Sequence, residues 1–219
     1  MKNALLIFCA LILTSCSTLT RGKQYPLVYE EKPASILIMP PINNTTFVDA
    51  KQYFYTSLSY PLSEKGYYVV SPYLAMDLLK SESAYDSEMF IEGNLKPFKE
   101  VFGADAALFT IIKSWKKMTI GNSIKVDIEY ILKSTHTGNI LFNRSGEITV
   151  DCSVSGSGSV LIDLAASMIN TAITDKVIAA RRCNIFVLED LPAGKYSPLF
   201  GKDSSVEAGK KTLKGTVKK

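Results

Sequence analysis

Residues 125–133 alternate without a break, with Val126, Ile128, Tyr130 and Leu132 on one side and Lys125, Asp127, Glu129 and Ile131 on the other. Side chains that change face at every step follow a strand's period, and the apolar half must be covered by something else in the fold. Thr137-Gly138-Asn139 supplies turn chemistry directly afterwards, so Ile140-Leu141-Phe142 is expected to return as a hairpin partner. Strand character resumes at 147–150, and 106–115 reads as a strand that is largely buried. An antiparallel unit of this kind needs a layer packed on its apolar face.

The stretch before it supplies helices. Ser35-Ile36-Leu37-Ile38-Met39 is a short buried strand closed by Pro40-Pro41. A helix is expected after Asp49, with Phe54, Leu58 and Leu62 on one face, a kink at Pro61 and a stop at Gly66. Residues 67–70 form a strand, and Ser71-Pro72 opens a second helix that runs to about Lys80. A third, carrying Leu95, Phe98, Val101 and Phe102, stops at Gly103. A long helix from about Val160 to Arg182, its dipole met by Arg181-Arg182, precedes an extended stretch through Phe186 and Pro192. The pattern predicts an α/β fold: a layered α/β domain with a mixed β-sheet flanked by helices.

At 219 residues with 47% hydrophobic and 21% charged, the chain is long enough to bury a real core. Lys2 begins it, an apolar run follows from Ala4 to Leu13, and Leu13-Thr14-Ser15-Cys16 comes next. A charged start, about ten apolar residues and a small-residue site describe a secretory signal over residues 1–15. The run is too short to span a hydrocarbon core of about 30 Å. The tetrad resembles the bacterial lipobox, which makes Cys16 the lipidated N-terminus of the mature chain. Several acyl chains hold a protein to a membrane where one does so only marginally. Ser17, in place of an aspartate, implies by the same resemblance the outer membrane. Residues 16–33 read as a flexible tether, reaching about 60 Å at full extension and about 20–25 Å as a coil. The domain proper is assigned to residues 34–200.

Residues 202–219 carry six lysines against Asp203 and Glu207, so 201–219 reads as a basic, disordered tail. Removing its +4 and the signal's +1 from the net +4 leaves Cys16 to Gly201 at −1. The basic balance therefore belongs to the tail, and a nucleic-acid partner is not expected. Once Cys9 leaves with the signal and Cys16 is acylated, Cys152 and Cys183 remain as an even pair in an oxidising compartment. They are the candidate disulfide, although the intervening helix leaves open whether their sulfurs come within bonding reach.

The chemistry-bearing motifs are weak. Ser155-Gly156-Ser157-Gly158 precedes a helix but lacks the ending of a phosphate loop, and Ser157 lacks a nucleophile elbow's glycines. His136 is the single histidine and falls in a turn, away from any ligand spacing. Asp127 and Glu129 sit two apart on one strand face, but Lys125 and Lys133 flank them as on a solvated surface. Trp115-Lys116-Lys117 is one aromatic-basic triplet. No catalytic, cofactor or metal site is assigned.

Pro40-Pro41-Ile42-Asn43-Asn44-Thr45, the block from Leu58 to Pro72, and Phe102 to Trp115 resemble a family of uncharacterised outer-membrane lipoproteins that includes the Neisseria genome-derived lipoprotein antigen. The resemblance spans about Tyr25 to Phe200 and is most specific at 64–70. It implies a fold similar to the N-terminal domain of the Tol translocation protein and to the curli secretion channel lipoprotein. It also implies a lipid anchor in the outer membrane with the domain facing the periplasm or the surface, other envelope lipoproteins as partners, and homodimers. The expected function is a non-enzymatic accessory subunit of an envelope assembly or export complex with a curli-channel-like lipoprotein. The alternative is a regulator of a cell-wall synthase. The lysine tail and the Cys152/Cys183 pair have no counterpart in the family pattern.

Overall fold

The computed structural model describes residues 18–118, 123–152 and 176–218. Its centre is a seven-stranded mixed sheet. The strands are β1 (Ser35–Ile38), β2 (Ile42–Asn43), β3 (Tyr68–Val69), β4 (Ala106–Lys117), β5 (Ser123–Ser134), β6 (Ile140–Asp151) and β7 (Thr212–Lys218). They lie in the order β3-β1-β4-β5-β6-β7, with β2 also paired to β4. Pairs β4/β5 and β5/β6 are antiparallel, while β1/β3, β1/β4, β2/β4 and β6/β7 are parallel.

Helices cover both faces. Segments α1 (Arg21–Gln24), α2 (Pro26–Glu31), α3 (Ala50–Ser57) and α4 (Ser59–Glu64) precede β3. Next come α5 (Pro72–Ser81), α6 (Glu88–Ile91) and α7 (Lys96–Phe102), and the described part of α8 covers 176–188. Strand alternation sorts the core into two clusters. Ile36, Ile38, Leu108, Val126, Ile128 and Tyr130 pack with Phe54, Leu58 and α8's Cys183 and Val187 on one face. Leu37, Met39, Ala107 and Phe109 pack with Leu79 and Phe98 on the other. This is the expected layered α/β arrangement.

Local expectations hold where the signal is steric. Helices α3 and α4 break at Leu58, three residues before Pro61, and α5 opens on Pro72. Gly103 ends α7 in the left-handed region at φ +65°. The alternation in β5 is observed residue for residue from Ile124 to Leu132.

Several expectations are corrected. Residues 16–33 are not a loose tether where they are described. Helices α1 and α2 occupy 21–31, and Tyr25 and Val28 are buried, the Tyr25 ring 4.8 Å from that of Phe142. Two apolar side chains three apart are enough to dock a short helix that its polar neighbours disguise. Part of the 201–219 tail is a strand: in β7 Leu213 is buried and Val217 half-buried while lysines point outward, a period-two pattern masked by charge. Helix α8 runs past Arg182 to 188, because Cys183, Val187 and Leu188 belong to the core, so Phe186 is helical rather than extended. Its carbonyls at 186 and 187 are met by the buried Arg144 guanidinium, not by Arg181 and Arg182. Arg181 instead lies over the Tyr60 ring at 4.6 Å. The expected strands at 140–142 and 147–150 are one continuous β6.

Candidate functional site

A buried polar cluster ties the start of the described chain to residues 190–203. Arg21, at the start of α1, places Nε 3.2 Å from Asp190 Oδ1 and Nη1 3.3 Å from Asp203 Oδ2. Tyr25 donates its hydroxyl to Asp190 at 2.8 Å, and Gln24 donates to the same carboxylate. Tyr29 donates to Asp203 at 3.0 Å, and the Ala193 amide donates to it at 2.9 Å. Both carboxylates are buried, so one guanidinium and several donors satisfy two charges that would be costly to bury alone. Burial first, and then the adjacent carboxylate, pushes the Tyr25 and Tyr29 hydroxyls well above their ordinary range.

Backbone pairing continues this clasp toward the N-terminus. The Arg21 amide donates to Val206, the Gly22 amide to Ser204 and the Ala208 amide to Leu19, with an antiparallel bridge between Thr20 and Glu207. Gln24 reaches the Gly209 carbonyl at 2.8 Å. Beside the clasp lies a cleft of about 420 Å³ whose lining includes Arg21, Tyr60, Lys65, Ile185, Leu188 and Leu199. Lys65 donates to the Glu189 carbonyl there, and burial followed by the Arg21 charge lowers its pKa. The turn beneath is tight. Gly66, at φ +84°, leaves 2.3 Å between a would-be Cβ and the Ser197 nitrogen, so only glycine fits.

The residues singled out from sequence are scattered. His136 is exposed in the turn after β5, its Nε2 3.9 Å from Asp105 Oδ1. Glu129 is held by Lys113 at 2.8 Å and accepts from Asn143 at 2.9 Å, while Asp127 stands in register with Ser114 and Glu147. Lys133, read as solvated, is buried and donates to the Ile91 carbonyl. Trp115 packs against Phe47 and Phe54 at ring separations of 5.2 and 5.9 Å, while Lys116 and Lys117 are exposed. Cys16 and 155–158, Ser157 included, lie outside the described residues. Cys152 and Cys183 are both buried in the same cluster, and burial followed by the Cys152 charge pushes the Cys183 thiol far up. Among the described residues no group of three or more His, Cys, Asp or Glu side chains could hold a metal, and no helix is long and apolar enough to cross a membrane.

The clasp itself was missed in the sequence. Its partners lie 169 and 182 residues apart, beyond any spacing rule. The one available signal was the acidic pair Glu189-Asp190 between Leu188 and Leu191, and it does not say which of the two is buried.

A model of the family described as "Putative lipoprotein GNA1162-like" matches residues 23–184. The chain belongs to this family. It is 26% identical over 182 residues to "Putative lipoprotein NMB1124/NMB1162" of Neisseria meningitidis serogroup B, covering 80% of this chain and 85% of that protein. Among solved structures it is similar to lipoprotein GNA1162 from Neisseria meningitidis, with a TM-score of 0.49 and 24% identity over 65% of this chain and 99% of that one. It is also similar to the PelC dodecamer from Paraburkholderia phytofirmans, with a TM-score of 0.44 and 14% identity over 74% of this chain and 91% of that one. The family match stops at 184, so Glu189, Asp190 and Asp203, the C-terminal half of the clasp, lie beyond it.

Proposed function

We propose that this lipoprotein-family member is a non-enzymatic accessory subunit of an envelope assembly or export complex, anchored in the outer membrane through Cys16 and working beside a curli-channel-like lipoprotein. The observation that carries the reading is the family match over 23–184 behind a lipobox at Cys16. The use of the buried charges fits it. Arg21 and neutral donors hold Asp190 and Asp203 inside a structural clasp, so their chemistry serves cohesion. The alternative, a regulator reaching from the outer membrane to a cell-wall synthase, needs a long free tether. Residues 21–31 are folded against the domain, which shortens that reach. Crosslinking of intact cells followed by purification of the tagged protein is expected to recover the channel-like lipoprotein and other envelope lipoproteins. Recovery of a solitary species, or of synthases alone, overturns the proposal.

The same compartment bears on Cys152 and Cys183, and we propose that the two are joined there by a disulfide. Mass spectrometry of unreduced peptides from the mature protein is expected to recover the linked pair. Alkylation of both thiols in denaturant without a reductant rules it out.

A further inference from the structure

We propose that the face around the point where the chain enters the fold lies directly on the membrane, held against anionic phospholipid head groups. The proposal rests on the reading of Cys16 as the acylated residue. Leu19 is already fixed to the body by its bond with Ala208, only three residues after Cys16. Three residues span at most about 10 Å, whatever their conformation. The domain therefore cannot hang at a distance; some part of its surface must meet the bilayer, and the part nearest the anchor is defined.

That part has the composition a lipid surface would bind. Leu19 is 49% exposed, Val206 44% and Leu199 59%, so three large apolar side chains are open to solvent here. Leu19 and Val206 lie on the two segments of the Thr20–Glu207 bridge, and the Leu199 carbonyl accepts from Lys202 in the same turn region. Lys23, Lys202, Lys210 and Lys211 are exposed here, against Glu207 and, beside Arg21, Glu189 as exposed acids. The nearby carboxylates Asp190 and Asp203 are buried and share Arg21, so they offset only one of the four lysine charges at the surface. Cations within about 10 Å of anionic head groups lie near the ~8 Å screening length of physiological salt, where attraction still acts. Apolar side chains at the same face can enter the head-group boundary. The clasp gives this contact a fixed orientation, because it ties the entry segment to residues 190–209 rather than leaving it to swivel.

The test uses the full-length lipidated protein in vesicles of phosphatidylethanolamine and phosphatidylglycerol. A single added cysteine, Val206→Cys or Leu19→Cys, carries a nitrobenzoxadiazole label. Tyr73→Cys, at an 81% exposed position on α5, is the reference. Cys152 and Cys183 are buried and stay unlabelled in the folded protein. The expected result is a blue-shifted emission at 206 and 19, with several-fold slower quenching by dithionite than at 73. Lys202→Glu combined with Lys210→Glu is expected to restore rapid quenching while the protein still co-floats with vesicles. Equal quenching at 206, 19 and 73 in co-floating protein overturns the apposition and leaves the lipoprotein reading intact. If the wild type fails to co-float, or Cys16→Ser floats equally well, the lipoprotein reading fails and the proposal falls with it.

Discussion

Asp105 shows how one carboxylate ties three elements together. It accepts from the Ala34 and Ser35 amides at 2.9 and 3.1 Å, from the Ser35 hydroxyl, and from Lys99 of α7. Burial alone raises its pKa, but these donors outweigh burial and hold it at about 2, below the ordinary 3.8. A carboxyl depressed on folding contributes stability above its unfolded value, and that contribution is lost as pH falls through the folded one. Denaturant midpoints are therefore expected to drop between about pH 4 and pH 2 in the wild type. In Asp105→Ala that part of the slope disappears, at a cost of about 2 kcal/mol at neutral pH. An unchanged slope in the variant would assign the acid sensitivity elsewhere.

At the scale of elements, β7 is the most informative. It runs parallel to β6 from Ser145↔Thr212 to Asp151↔Lys218, and Leu213 closes over Gly146, where a Cβ would come within 2.6 Å of the Leu213 Cδ1. Leu213→Ala is expected to cost about 2 kcal/mol. Amide exchange at 212–218 should accelerate first, with the β4/β5 amides still protected. Sequence made β4, β5 and the helix boundaries at Pro72 and Gly103 legible, because periodicity and steric punctuation act locally. It hid α1, α2 and β7 for one shared reason. Only Tyr25 between the two helices, Val28 in α2 and Leu213 in β7 are buried among charged neighbours, so average polarity argued for disorder while the few buried positions decided the structure.

At the scale of the molecule, the clasp is where sequence reasoning stopped. Asp190 and Asp203 are far from Arg21 in the chain, and no local rule pairs them. Removing their shared cation is expected to be severe. Arg21→Met leaves two buried carboxylates without it, a loss of about 3 kcal/mol or more. Thermal unfolding of Arg21→Met, Asp203→Asn and the double variant checks this. The double variant should be less destabilised than the sum of the singles, and simple additivity would show that the three groups do not act together.

The parallel β7 and the Arg21 clasp also set an order of events during biogenesis. Synthesis delivers the N-terminal end first, yet the partners of Arg21, Gln24, Tyr25 and Tyr29 are at 189–209 and arrive late. Closing a loop of that size is entropically slow, though its cost rises only logarithmically with length. The segment at 19–29 must therefore stay open until residues 189–209 have been made. The start of the fold is thus completed by residues made long after it.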